Sequence, residues 1–118
     1  MLRTFSSSVK VFYPKHSREQ IIEAVKKALP KLQEQLPLKL VALFGSYAKG
    51  NYTVASDIDL LVIYNGVRRE DAYTLCKKTL NISRLEPHVY SAREYQESRQ
   101  TIDHMIKDSI ILMGSSSV

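Results

Sequence analysis

FGSYAKGNYTVASDIDL, residues 44–60, is the stretch on which the reading of this chain turns. Gly45 and Ser46 close an apolar run, LKLVALF, over residues 38–44. Ten residues separate Ser46 from Asp57, where a second apolar run, DIDLLVIY, begins. Successive side chains of a β-strand point to opposite faces, so Asp57 and Asp59 share a face and Ile58 takes the other. Two neighbouring carboxylates repel unless a cation lies between them. Magnesium takes oxygen ligands and is commonly held by one or two carboxylates together with substrate phosphates. A Gly-Ser bend can offer backbone N–H groups and a hydroxyl to those phosphates. The segment therefore carries both halves of a metal–nucleotide site.

Working outward, the flanking chain predicts a single α/β domain (α+β) over residues 1–118. Ser17 and Gln20 have capping-box spacing and open an amphipathic helix. Its apolar positions are Ile21, Ile22, Val25, Ala28, Leu29 and Leu32. Pro30 predicts a kink or restart within it, and Pro37 its end. Residues 38–44 and 57–64 read as buried strands. One helical turn is expected between Ser46 and Lys49. Residues 69–80 suit a second helix, with Ala72, Leu75, Cys76 and Leu80 inward. LEPHVY, residues 85–90, reads as a third strand. Ser91 and Glu94 repeat the capping-box spacing, and the chain from there to about Met113 reads as helical, with a break near 98–101. Residues 9–13 (VKVFY) could add a strand at the front. Residues 1–8 and 114–118 read as flexible tails. The expected architecture is a small mixed sheet with helices packed mainly on one face.

Composition narrows the function classes. The chain has 118 residues, 44% hydrophobic and 25% charged, with a formal charge of +5. That is enough for one core and not two. A basic balance favours anionic partners, although solubility alone explains so small an excess equally well. A single cysteine, Cys76, excludes an internal disulfide and fits a reducing, cytoplasmic setting. It reads as a packed thiol. No apolar run reaches membrane-spanning length. His16 and His104 lack Cys or His companions at zinc spacing.

The motif GSYAKGNYTVASDIDL resembles the signature of the DNA polymerase beta-like nucleotidyltransferase superfamily. Phe44, Gly45, Ser46, Asp57, Ile58, Asp59 and Leu60 fall where that pattern demands them. Ala48, Gly50 and Ser56 also match the form seen in minimal nucleotidyltransferases. Lys49 stands where many members carry Arg; it keeps the charge and loses the planar fork.

The resemblance implies a nucleotidyltransferase-like palm fold and transfer of a nucleotidyl group, AMP from ATP in the first instance, to an acceptor hydroxyl. It implies triphosphate binding by Gly45, Ser46 and Lys49, and two Mg²⁺ ions held by Asp57, Asp59 and a third carboxylate. Glu86, the one acid in the third expected strand, is placed in that role. Two metals about 3.5–4 Å apart can clamp the attacking and leaving oxygens of an in-line displacement. Small members pair with a helical HEPN-type partner in toxin–antitoxin modules, so a tyrosine hydroxyl on such a partner is one acceptor the resemblance implies. A non-catalytic nucleotide- or partner-binding module of the same fold is an alternative. So is transfer to a small molecule of the antibiotic type, against which the basic charge weighs mildly. A homo-oligomer stays open, and nucleic acid is not favoured. His88 shares a strand face with Glu86. It reads as an ordinary half-buried histidine, with contact to nucleotide or acceptor as the second reading. Tyr47 and Tyr52 flank the loop, where stacking on a base and simple packing explain them equally.

Overall fold

A computed structural model describes residues 17–53 and 55–114. The strand expected over 9–13 and the terminal stretches 1–8 and 115–118 lie outside the described residues.

Four strands form one sheet: β1 (Leu38–Phe44), β2 (Ile58–Tyr64), β3 (Leu85–Ser91) and β4 (Ile110–Met113). Their spatial order is β3-β2-β1-β4. β1 pairs antiparallel with β2 and with β4, while β2 and β3 run parallel. A parallel pair needs a crossover, and here α3 (Ala72–Leu80) lies on that connection. The other helices are α1 (Arg18–Gln35), α2 (Ser46–Lys49), α4 (Ala92–Glu97) and α5 (Arg99–Met105).

Both faces of β1 and β2 are covered, which explains why these strands read as unbroken apolar runs rather than alternating ones. On one face α1 supplies Ile21, Val25, Leu29 and Leu32, and α3 supplies Ala72, Cys76 and Leu80. They pack on Val41, Leu43, Ile58, Leu60, Val62 and Tyr64. The two longer helices thus share a face, as expected. The second face is closed by the short C-terminal elements: Tyr95, Ile102 and Ile106 pack on Leu40, Ala42, Leu61 and Ile63. The pairing of β1 with β2 steps from Leu38 opposite Tyr64 to Leu40 opposite Ile63, leaving Lys39 as an extra residue. This bulge puts Leu38 into the first core and Leu40 into the second.

Local signals account for most element ends. Ser17 accepts from Gln20 N–H while the Gln20 side chain accepts from Ser17 N–H, and Ser91 and Glu94 do the same at α4. α1 runs continuously from Arg18 to Gln35 through Pro30, rather than restarting there. Pro30 is solvent-exposed, and the four apolar residues along α1 are held in one core, which offsets the one hydrogen bond that proline cannot make.

The C-terminal third differs from the sequence expectation. The helix expected to reach Met113 breaks at Ser98, within the anticipated window, and ends at Met105. Residues Ile110–Met113 then form β4 against β1, with Leu43 opposite Ile110 and Ala42 opposite Ile111. A four-residue apolar run has no decisive period. The unpaired edge of β1 settles its state, because buried backbone groups must find partners.

Candidate active site

The Gly-Ser bend and Asp59 meet at one end of the sheet. Phe44, the last residue of β1, lies opposite Asp59 in β2. Gly45 then turns with φ 77° and ψ −153°, a region that side chains with a Cβ rarely enter. A Cβ built on Gly45 would sit 2.5 Å from Asp59 Oδ2. Glycine is thus required twice here, by torsion and by the approach of the carboxylate. α2 follows at once, with Lys49 N–H donating to the Gly45 carbonyl at 3.1 Å.

Asp59 also lies opposite Glu86 across the parallel β2–β3 ladder. The crossover through α3 therefore brings a distant carboxylate to the strand beside Asp59. Ile58 enters the first core, so Asp59, Phe44 and the Leu61 side chain belong to the second face.

Each acid has a protein partner. Asp57, just ahead of β2, is 3.7 Å from the Arg84 guanidinium; both side chains are more than half exposed. Arg84 also donates to the carbonyls of Ala55 (2.6 Å) and Ser56 (3.3 Å), tying down the loop that delivers Asp57. Asp59 Oδ1 is 3.2 Å from His88 Nε2, and both side chains are about one-third exposed. His88 in turn meets the Phe44 ring edge-on at 5.0 Å. Glu86 is exposed and accepts from the Tyr73 hydroxyl at 3.3 Å. Among the described residues no three His, Cys, Asp or Glu side chains are gathered as a ready-made metal cage. The donor chemistry nonetheless suits a hard cation: Asp57, Asp59 and Glu86 offer oxygen ligands, and exposed ion pairs such as Arg84–Asp57 contribute little and exchange easily.

A hollow of about 230 Å³ opens beside this corner, lined by Phe44, Gly45, Lys49, His104, Met105, Lys107 and Asp108. Sequence reasoning placed Lys49 here and missed the contribution of the turn after α5, since that segment read as continuous helix. It read His88 first as an ordinary half-buried histidine and second as a contact of nucleotide or acceptor; the structure sets it against Asp59. The loop tyrosines are resolved in favour of packing: Tyr47 and Tyr52 stack on each other at 4.1 Å with planes 9° apart. Tyr47 is buried, and the Tyr52 hydroxyl accepts from the Arg18 N–H. Burial, and then the neighbouring Tyr52, push the Tyr47 phenol above its ordinary value. Cys76 is a buried, unpaired thiol.

A Gly-Ser bend packed on an Asp-x-Asp strand, with a third acid on the adjacent parallel strand, defines a nucleotidyltransferase-type palm. The chain belongs to that family: the family model for the nucleotidyltransferase domain matches residues 18–116. Among curated proteins it is 42% identical over 45 residues to a "Putative protein adenylyltransferase" of Methanocaldococcus jannaschii, covering 38% of this chain and 46% of that protein. The chain thus spans less than half the length of that relative. Two solved toxin–antitoxin structures share the fold. One, described as a toxin–antitoxin with AMP-PNP, has a TM-score of 0.56 and 21% identity over 78% of this chain and 75% of that one. The other is a tri-AMPylated HEPN toxin in complex with MNT antitoxin from Shewanella oneidensis. Its TM-score is 0.55 with 19% identity, over 85% of this chain and 75% of that one. No described helix is long and apolar enough to cross a membrane.

Proposed function

We propose that this protein is a metal-dependent nucleotidyltransferase that moves AMP from ATP to an acceptor hydroxyl, acting in the cytoplasm as the antitoxin partner of a HEPN-type helical protein. The observation that carries the reading is the Gly45–Asp59 contact, with Glu86 in register on the far side of Asp59. The likeness to protein adenylyltransferases and to the AMPylated toxin–antitoxin complex supports the choice of AMP and of a protein acceptor. The AMP-PNP-bound neighbour supports a nucleoside triphosphate donor.

In this reading Asp57, Asp59 and Glu86 would hold two magnesium ions. When bound, these would supply charge neutralisation at the attacking and leaving oxygens. Ser46 holds a β- or γ-phosphate oxygen with its N–H and hydroxyl, and Gly45 lets the Asp59 carboxylate lie close beside the bend. Lys49 adds positive charge on the same side. Glu86 accepts the proton of the acceptor hydroxyl as that oxygen attacks the α-phosphorus, and pyrophosphate leaves. His88 holds Asp59 in one orientation through its contact with Oδ1.

The test is mass spectrometry of the chain incubated with ATP, magnesium and a HEPN-type protein co-purified from the native host. The expected result is an adenylyl adduct on the partner that Asp57→Asn/Asp59→Asn abolishes. Recovery of no helical partner, with no nucleotide-dependent mass shift on any protein, would sink the reading.

A second reading is a nucleotide-binding module without turnover. The engagement of Glu86 with the Tyr73 hydroxyl favours it. Magnesium-dependent ATP binding with no pyrophosphate release in the partner's presence would select it.

A further inference from the structure

Beside the corner formed by Gly45 and Asp59, two elements remote in sequence wall one hollow. Phe44, Gly45 and Lys49 come from the end of β1 and from α2; His104, Met105, Lys107 and Asp108 come from the end of α5 and the turn after it. Lys49, His104 and Lys107 have no ion-pair partner among the described residues. Two lysines and a histidine thus face a space containing one carboxylate, Asp108. Two lysines against one carboxylate leave a positive excess, which raises the local concentration of anions. At about 230 Å³, the space falls below the ~300 Å³ at which pockets begin to enclose a drug-sized ligand, so it takes part of a nucleotide rather than the whole. Of the two rings in the lining, Phe44 already meets His88 edge-on, which leaves it poorly placed to stack on a base, and His104 is exposed at the rim.

We propose that this hollow is the seat of the terminal phosphates of the nucleoside triphosphate, with His104 from the last turn of α5 and Lys107 from the turn after it as binding residues. The inference rests on the site reading above and adds residues to it that lie outside the signature motif. Hydrogen bonds from charged donors to phosphate are stronger than neutral ones. Asp108 works against the anion, so its removal must act in the opposite direction from removal of the lysine. That sign difference separates this proposal from a hollow that binds a cationic group.

The test is isothermal titration of the full chain with ATP, ADP and AMP in magnesium, and with inorganic tripolyphosphate. His104, Lys107 and Asp108 are all exposed, so substitution spares both cores; far-UV circular dichroism checks this, and Lys107→Gln alone serves as a milder variant. His104→Ala/Lys107→Ala is expected to weaken ATP binding about tenfold or more. It should weaken tripolyphosphate likewise and leave AMP unchanged. Asp108→Asn should tighten ATP binding. Unchanged ATP binding in the double variant, equal losses for ATP and AMP, or weaker ATP binding in Asp108→Asn would each overturn the proposal. Failure of the underlying reading is separate. If Asp57→Asn/Asp59→Asn loses magnesium-dependent ATP binding while the His104/Lys107 variant matches the parent, the hollow is wrongly assigned and the site reading stands. If Asp57→Asn/Asp59→Asn binds ATP as the parent does, the site reading itself falls.

Discussion

Gly45 and Asp59 lie so close that a Cβ at Gly45 would reach to 2.5 Å from Asp59 Oδ2, so any side chain there displaces the carboxylate from its place beside the bend. Gly45→Ala must therefore move the carboxylate as well as strain a φ of 77°. The strain alone is of order 1–3 kcal/mol. The variant is expected to lose magnesium-dependent ATP binding and to unfold at lower urea concentration. Normal ATP affinity in a folded Gly45→Ala chain would refute the idea that this contact builds the site.

His88 supports Asp59 from the strand beyond. Groups that orient a ligating carboxylate typically change metal affinity or activity by about tenfold or more when removed. His88→Ala should weaken magnesium-dependent ATP binding by about that factor with little change in AMP binding measured without metal. His88→Asn, which retains a hydrogen-bond donor, should recover part of the loss. Identical behaviour of the two variants would mean that the 3.2 Å contact orients nothing.

Ser91 is fully buried, yet it is polar and caps α4. Its hydroxyl accepts from Glu94 N–H at 3.1 Å. Replacing an N-cap serine by alanine costs about 1 kcal/mol. Ser91→Ala should lower stability by that amount in chemical denaturation while leaving ATP binding near that of the parent, because α4 lies away from the Gly45 corner. A loss of several kcal/mol would show that the second core depends on Ser91 for more than a cap.

Burial pushes the Cys76 thiol up to about 12. In the unfolded chain it ionises at its ordinary, lower value, so between the two the folded state holds the extra proton. Its stabilising contribution is complete below the unfolded value and falls as pH rises toward 12. The slope approaches ~1.4 kcal/mol per pH unit. Stability measured from pH 8 to 11 should fall more steeply for the parent than for Cys76→Ala. Native protein should also resist thiol reagents at pH 8. Parallel pH profiles, or rapid labelling of the folded chain, would contradict this.

Much of the fold was legible because its signals are local. The capping boxes at Ser17 and Ser91, the apolar spacing along α1, and the two continuous runs that became β1 and β2 all follow from short-range chemistry. So did the convergence of Gly45 with Asp59, since β1 and β2 are joined by one loop. What escaped depends on distant pairing. β4 formed because β1 had a free side, and nothing in IILM distinguishes strand from helix without that partner. The same misreading hid Lys107 and Asp108, which lie past the end of α5 where a continuous helix was expected. Glu86 was assigned from the family resemblance, as the acid in the third expected strand. Its position opposite Asp59 needed the parallel register of β2 and β3. Pro30 shows the converse: a strong local breaker was overridden by the four core contacts of α1.

The rims of the sheet carry a consequence for how this protein meets others. β3 borders one side among the described residues, and Pro87 within it has no N–H to offer a neighbouring strand. On the opposite border, β4 is short and irregular, with Val41 opposite Met113 but Ala42 opposite Ile111. Missing donors, brevity and irregular spacing all discourage an incoming chain from zipping onto a sheet. Among the described residues, then, both borders of the sheet disfavour main-chain pairing and leave side chains, with their charge and shape, as the surface an incoming molecule meets.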